Sequence, residues 1–168
     1  MSDRALPSAA ALTPRLAALL LQRSLKLVTA ESCTGGMIAA ACTDWVGSSQ
    51  WFERGFVTYS NAAKTELLGV PTALLQRAGA VSAEVAAAMA QGALTHACAQ
   101  VAVAVTGVAG PGGGTAAKPV GTVWFGFAGL GACSTEKRLF GGDRASVRTA
   151  AVQHALWRLC ALLQSPAL

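Results

Sequence analysis

Short apolar runs alternate with helix-like segments along this chain, and this alternation limits the possible folds more strongly than any other feature of the sequence. Strands separated by helices pair in parallel, whereas two strands joined by a short glycine turn pair antiparallel. The alternation therefore predicts an α/β fold, a three-layer α/β/α sandwich with a mixed β-sheet. The predicted strands are Leu25–Ala30, Arg54–Tyr59, Gln100–Thr106, Val120–Ala128 and Ala132–Phe140, the last two forming a hairpin.

Residues that suit helix ends mark the boundaries of the predicted helices. Asn61, Ser82 and Asp143 carry side-chain oxygens that suit an N-cap, and Gly69 suits the end of a helix. The predicted helices are Pro14–Ser24 (with an alternative start near Ser8), Met37–Thr43, Ala62–Leu68, a short one opened by Pro71, a longer one capped by Ser82, and one from Asp143 to about Leu163.

Length and composition indicate a single soluble domain. The 168 residues match one ordinary domain, and an apolar content of 53% with 12% charged residues excludes a disordered chain. No uncharged apolar run reaches the roughly 18 residues of a membrane span, and Leu16–Leu21 lacks the features of a signal peptide. We expect a cytoplasmic protein without membrane contact, one domain over 1–168, with residues 1–10 a loosely ordered tail.

Charge and cysteine content favour neither nucleic-acid nor metal binding. The net charge is +5, but the basic residues are scattered singly, whereas nucleic-acid binders cluster them. Five cysteines without CxxC spacing, together with only His96 and His154, leave few ligands for zinc. We therefore predict reduced thiols, no metal site and no nucleic-acid partner.

The segment Thr29–Gly36 joins a predicted strand to a predicted helix and contains the first candidate site. A serine at such a turn, here Ser32, presents its hydroxyl above the sheet, and the amides of the next turn point at whatever the hydroxyl attacks. The alternative is that Ser32 or Thr34 merely caps the helix.

Lys64 breaks a local rule of helix formation. With Asn61 as N-cap, Lys64 occupies the third helical position, where a cation opposes the helix dipole by roughly 0.3–1 kcal/mol. The same dipole favours the neutral, basic form of the lysine. Such a conflict is typical of functional sites, although a solvated surface lysine is the alternative.

The start of the last helix repeats the anomaly, since Arg144 and Arg148 follow its cap one turn apart. Two cations at a helix N-terminus suggest an anion, either a carboxylate partner or a bound phosphate. A salt bridge to Glu31 or Glu136 is the simpler alternative.

A glycine-rich loop, Gly107–Lys118, follows the third strand, and a loop of this length in a compact domain is usually functional. It lacks the Gly-Lys-Ser/Thr ending of a P-loop, and a strand follows it instead of a helix. G-x-S-x-G does not occur, and no motif supports a histidine-based triad.

Several of these segments together resemble the CinA C-terminal-domain family over nearly the whole chain, from about Leu12 to Leu163. One departure is Val46, where relatives commonly have proline, and this concerns a turn. The resemblance is carried by 29–36 (TAESCTGG), 47–49 (GSS), 55–61 (GFVTYSN), 67–70 (LLGV), 79–82 (GAVS), 103–111 (VAVTGVAGP), 113–115 (GGT), 118–123 (KPVGTV) and 140–144 (FGGDR).

The resemblance implies a nicotinamide-nucleotide amidase, which converts nicotinamide mononucleotide and water to nicotinic acid mononucleotide and ammonia in pyridine-nucleotide recycling. It implies Ser32 as nucleophile with Lys64 and Tyr59 as its catalytic partners, and no cofactor. Longer relatives carry an additional N-terminal domain. Here only about ten residues precede the first predicted helix, so we expect the stand-alone form of the domain. We predict that the nucleotide substrate is bound by Glu31, Cys33, Thr34, Gly35, Gly36, Thr106, Gly107, Gly110, Pro111 and Arg144.

Two questions stay open at this point. Lys64 takes the Ser32 proton either directly or through Tyr59, and Arg144 either lowers the lysine pKa or holds the phosphate. We expect a homo-oligomer, with a dimer favoured. The alternative function is a catalytically silent nucleotide-binding or sensor module that uses the same loops.

Overall fold

The structure is a computed structural model that describes residues 6–165. These residues form five strands, six α-helices and a short 3-10 turn at Ser48–Gln50. The strands are β1 (Leu27–Glu31), β2 (Phe52–Val57), β3 (Val101–Gly107), β4 (Thr122–Gly129) and β5 (Ala132–Leu139). The helices are α1 (Ala9–Gln22), α2 (Met37–Thr43), α3 (Asn61–Leu68), α4 (Thr72–Ala78), α5 (Ala83–Thr95) and α6 (Arg144–Gln164).

The five strands form one mixed sheet in the order β2-β1-β3-β4-β5. β1 lies parallel to both β2 and β3, and the β4–β5 hairpin extends the sheet antiparallel from β3. The three parallel strands end at the same edge, so the turns that follow them lie together. The predicted α/β class and mixed sheet are confirmed.

Helices cover both faces of the sheet. On one face α1, α2 and α6 pack against Val103 and Phe125, and on the other α3, α4 and α5 pack against Val28 and Ala102. Because successive residues of a strand point to opposite faces, the alternating valines and alanines of β3 supply both cores. The outcome is the predicted three-layer sandwich.

Several boundaries differ from those predicted. α1 begins at Ala9, where the Ser8 hydroxyl accepts a hydrogen bond from the Ala11 amide, and Pro14 lies inside the helix. Ala9 and Ala10 are therefore helical, and residues 1–5 of the predicted tail lie outside the described residues. Within residues 6–165, no helix combines the length and apolar character that a membrane crossing requires.

The N-cap of α3 is Ser60 and not Asn61, because the Ser60 hydroxyl accepts from the Ala63 amide at 3.0 Å. Lys64 is therefore the fourth helical residue and not the third. The helix ends at Gly69 in a left-handed conformation, as predicted.

α5 holds α3 in place through an unusually close contact. A Cβ atom at Gly92 would overlap the backbone oxygen of Leu68, the last residue of α3. Gly92 therefore lets the two helices approach until their backbones touch, and this packing fixes the helix that carries Lys64.

We expect Gly92→Ala to lower the free energy of unfolding by about 1–3 kcal/mol, because the added methyl group must push α3 away from α5. Urea denaturation measures this change. Gly141→Ala is the control, since no atom lies within 4 Å of a Cβ built at Gly141. Equal stability of the two variants would contradict this view of the α3–α5 contact.

Candidate active site

A polar cavity of about 200 Å³ lies at the carboxyl edge of the parallel strands. Ser32 follows β1, Tyr59 follows β2, and Thr106 and Gly107 end β3. Each of these residues lines the cavity, together with residues from α3, the α4–α5 connection and the start of α6. The strand order thus brings together segments that are far apart in the sequence.

The buried carboxylate of Glu31 organises the turn that carries Ser32. It accepts hydrogen bonds from the amides of Gly36 at 3.2 Å, Ile38 at 2.9 Å and Ala39 at 2.9 Å. These amides start α2, where no side chain acts as a conventional cap. The structure therefore gives Glu31, which we predicted to bind substrate, the task of fixing the turn.

Ser32 is paired with Lys64. The Lys64 Nζ atom lies 3.1 Å from Ser32 Oγ, and the lysine side chain is only 1% exposed. Lys64 is therefore not a solvated surface lysine. Ser32 is not the cap of α2 either, because the Glu31 carboxylate binds the amides at the start of that helix. Nζ also donates to three successive backbone carbonyls, those of Thr58 (2.8 Å), Tyr59 (3.4 Å) and Ser60 (3.5 Å).

Burial lowers the pKa of Lys64 from its usual value of 10.5. The neighbouring thiol of Cys33 acts weakly in the opposite direction. Burial also raises the pKa of Cys33 to about 11, so this residue is a neutral thiol beside the serine at physiological pH. Desolvation is therefore the main force that favours a neutral amine at the site.

Arg144 connects Tyr59 to the glycine-rich loop. It donates to Tyr59 Oη at 3.0 Å and to the carbonyl oxygen of Gly110 at 2.9 Å. The Tyr59 ring is 61% exposed. Within residues 6–165, the tyrosine hydroxyl bonds to neither Ser32 nor Lys64. The direct contact between serine and lysine is therefore the shorter path for the proton.

Arg148 supports the serine turn from α6. It donates to the carbonyl oxygens of Cys33 at 3.0 Å and Thr34 at 3.2 Å. In the described part of the chain neither Arg148 nor Arg144 pairs with a carboxylate; Glu136 instead contacts His154 and the Arg158 guanidinium. The salt-bridge alternative for the two arginines is therefore wrong.

Two backbone amides of the turn are free to bind an oxyanion. The Gly35 amide donates to Ser32 O at 3.0 Å, and the Gly36 amide is held by Glu31. Over residues 6–165 the amides of Cys33 and Thr34 donate to no other group. Of the amides of residues 33–36, only these two have no acceptor within the described residues.

The remaining predicted residues have different surroundings. Thr106 Oγ1 donates to the Ala80 carbonyl at 2.9 Å, Gly107 lines the cavity, and Pro111 is exposed. Neither His96 nor His154 lines the cavity. No cluster of three or more potential metal ligands occurs within residues 6–165.

Four lining residues have no place among the predicted site residues, and one of them is Ala109 of the glycine-rich loop. Ala80 and Val81 belong to the α4–α5 connection and carry no chemical signal, so only the tertiary structure reveals them. Asn61 lies between Tyr59 and Lys64 in the sequence, and this position was the one signal that it lines the site.

The fold and the site together define an α/β protein in which a buried lysine is paired with a serine at a strand–helix turn. The chain belongs to the family described as the CinA C-terminal domain, whose model matches residues 9–163. The resemblance seen in the sequence is thus confirmed.

Named relatives and solved structures agree with this assignment. The chain is 62% identical over 128 residues to the nicotinamide-nucleotide amidohydrolase PncC of Enterobacter agglomerans, covering 76% of this chain and 78% of the relative. It is 53% identical over 138 residues to PncC of Escherichia coli K12, covering 82% and 84%. The crystal structure of competence/damage inducible protein CihA from Agrobacterium tumefaciens matches with a TM-score of 0.91 at 46% identity, covering 98% of this chain and all of that one.

Longer relatives share the same domain. A CinA-like protein of Akkermansia muciniphila is 54% identical over 151 residues, which cover 89% of this chain but 36% of that protein.

We expect Glu31→Gln to lower the free energy of unfolding by roughly 1–3 kcal/mol. The glutamine side chain is uncharged, and its NH2 group would face the backbone N–H groups at the start of α2 that the carboxylate accepts from. Turnover should fall as well, since Ser32 is adjacent. Chemical denaturation measures the first effect, and Glu66→Gln, which changes an exposed carboxylate of α3, is the control. A variant as stable as the control would show that the helix start does not need the carboxylate.

Proposed function

We propose that the protein is a nicotinamide-nucleotide amidohydrolase that acts through a serine acyl-enzyme. The reaction converts nicotinamide mononucleotide and water to nicotinic acid mononucleotide and ammonia. Two relatives covered over more than three-quarters of their length are named for this activity. The observation that carries the mechanism is the 3.1 Å contact between Lys64 Nζ and Ser32 Oγ in a buried site.

The surroundings of Lys64 suit a neutral amine. A neutral amine has two N–H donors and one lone pair, whereas an ammonium has three donors. The Thr58 carbonyl accepts one hydrogen at 2.8 Å, and the longer contacts to the carbonyls of Tyr59 and Ser60 share the second, which leaves the lone pair of a neutral amine to accept the Ser32 hydroxyl proton. This arrangement makes the lysine a general base without help from a histidine.

Acylation follows from this geometry. Lys64 takes the proton of Ser32, whose oxygen forms a bond to the carboxamide carbon. The negative charge moves to the carboxamide oxygen, which the free amides of Cys33 and Thr34 bind. The C–N bond then breaks, and the Lys64 ammonium returns its proton to the nitrogen, which leaves as ammonia.

Deacylation reverses the roles. Lys64, neutral again, takes a proton from a water molecule whose oxygen attacks the acyl carbon. The second tetrahedral intermediate collapses, the bond to Ser32 Oγ breaks, and Lys64 returns the proton to the serine. The product is a carboxylic acid, which loses its remaining proton to solvent, and the enzyme is restored.

Arg148 strengthens one of the oxyanion donors. The carbonyl of Cys33 and the amide of Thr34 belong to one planar peptide unit and point in opposite directions. A guanidinium bound to that carbonyl polarises the unit and makes the Thr34 N–H a better donor. Arg148 therefore acts on the oxyanion from the far side of the peptide.

The position of Arg144 favours a role beside the reacting group. Its guanidinium is engaged by Tyr59 and Gly110, so it orients the tyrosine hydroxyl at the cavity. The cavity, at about 200 Å³, is smaller than the roughly 300–1,000 Å³ of most ligand pockets, which suits the pyridine carboxamide alone. We propose that backbone amides of the glycine-rich loop bind the phosphate of the substrate. We also propose that the enzyme is a cytoplasmic homodimer that acts in pyridine-nucleotide recycling.

Ser32→Ala should abolish turnover while the fold and the binding of nicotinamide mononucleotide are retained, because the substitution removes the nucleophile and little volume. Ammonia release measures turnover, and titration calorimetry measures binding. Ser134→Ala, at an exposed position of β5, is the control. If Ser32→Ala retained more than a few per cent of the parent rate, the serine would not be the nucleophile. If the parent bound the nucleotide without releasing ammonia, the protein would be the silent sensor module.

Lys64→Arg should reduce turnover by roughly 10²–10⁴-fold, since arginine stays protonated and cannot act as a base. In the parent enzyme the rate should rise with pH as Lys64 loses its proton, at a pKa below 10.5. Measurement of rate against pH tests both points, with Lys137→Arg as the exposed control. An active Lys64→Arg variant would show that the site needs only the positive charge.

A further inference from the structure

The connection between α4 and α5 is held by side chains at three successive carbonyls. We call residues 79–82 the connector. The carbonyl of Ala78, just before it, accepts from Lys118 Nζ at 3.0 Å. The carbonyl of Gly79 accepts from Ser82 Oγ at 2.8 Å, and that of Ala80 accepts from Thr106 Oγ1 at 2.9 Å. Two of these donors, Lys118 and Thr106, lie outside the connector, so they fix its position relative to the rest of the domain.

The connector is also a wall of the catalytic cavity. Ala80 and Val81 line the cavity together with Ser32 and Cys33, and neither has a polar side chain. They therefore act on a ligand through shape alone, and their position decides how closely a bound aromatic ring is enclosed. Thr106 and Ser82 hold this wall from β3 and from within the connector itself.

Lys118 is the one of the three donors that belongs to the glycine-rich loop. Its amide donates to Thr115 Oγ1 at 3.0 Å, and its carbonyl accepts from the Thr115 amide at 2.9 Å, so its backbone is fixed within the loop. Residues 111–117, which precede it, are exposed. At the other end of this exposed stretch, Arg144 holds the carbonyl of Gly110.

The target of Lys118 suits a cation. Ala78 is the last residue of α4, and carbonyls at a helix C-terminus carry partial negative charge. A Cβ atom at Gly79 would lie 3.3 Å from Lys118 Nζ, so the glycine leaves room for the ammonium group. Charge-assisted hydrogen bonds are stronger than neutral ones.

We propose that Lys118 is a positioning residue that joins the glycine-rich loop to the connector and thereby sets the Ala80–Val81 wall against the substrate. The proposal rests on the proposed function for its substrate. In this arrangement the loop and the wall move together, so the substrate is enclosed by both or by neither. The Ser32–Lys64 pair is held separately, by Glu31 and the carbonyls after β2, and does not depend on Lys118.

The test compares Lys118→Met, which keeps the length of the side chain but cannot donate, with Lys118→Arg, which keeps the charge and the donors. Lys137→Met, an exposed lysine of β5, is the matched control. We expect Lys118→Met to raise KM for nicotinamide mononucleotide roughly tenfold, the effect of one charge-assisted hydrogen bond, with kcat changed by less than about twofold. Lys118→Arg should restore most of the loss.

Hydrogen exchange provides the second readout. The Gly79 amide, which donates to the Leu75 carbonyl, and the Val85 amide, which donates to Ser82 Oγ, should exchange faster in Lys118→Met than in the parent, in Lys118→Arg or in Lys137→Met. Unchanged exchange and KM in Lys118→Met would overturn the proposal, as would an arginine variant no better than the methionine variant. Should Lys118→Met not fold, Thr106→Val loosens the same wall from β3, and a fall in kcat with unchanged KM there would also overturn it.

The two proposals fail in different ways. If the parent protein releases no ammonia from nicotinamide mononucleotide, the proposed function fails, and hydrogen exchange in the same variants still decides whether Lys118 holds the connector.

Discussion

The Lys64 amine is buried 3.1 Å from the Ser32 hydroxyl, and the chemistry of the site follows from that burial. An amine taken out of water favours its neutral form, and only the neutral form can accept the serine proton. The fold provides this burial through α3, which starts directly after β2 and is pressed onto α5 at Gly92. Three backbone carbonyls bind the amine, so its hydrogens are satisfied while its position is fixed.

The other polar groups of the site prepare the serine turn for the same reaction. Glu31 uses its carboxylate to start α2, and Arg148 binds two carbonyls of the turn, while the amides of Cys33 and Thr34 keep no acceptor within residues 6–165. A buried carboxylate is costly to desolvate unless hydrogen bonds satisfy it. Glu31 is satisfied by backbone amides and Arg148 by backbone carbonyls, so these charges hold the backbone rather than each other.

Local sequence signals predicted much of the fold and part of the site. The caps at Ser82 and Asp143 and the stop at Gly69 act locally, and the structure confirms them. Lys64 was indicated by a conflict with the helix dipole, although that argument took Asn61 as the N-cap and the structure has Ser60 there. The roles of Arg144 and the connector were beyond local reasoning, because their contacts join residues distant in sequence: Arg144 and Tyr59 are 85 positions apart, and Thr106 and Ala80 are 26 apart. Only the packed sheet brings such pairs together.

The most direct test of this account is a pH titration of Lys64 itself, followed by NMR of the labelled lysine side chain in the ligand-free protein. The chain has few lysines, and Lys64→Arg assigns its signal. The account predicts a pKa clearly below 10.5, and a limb of the pH–rate profile at the same pH. A lysine that titrates at 10.5 or above, in a protein that still releases ammonia from nicotinamide mononucleotide, would contradict the claim that a buried neutral amine activates Ser32.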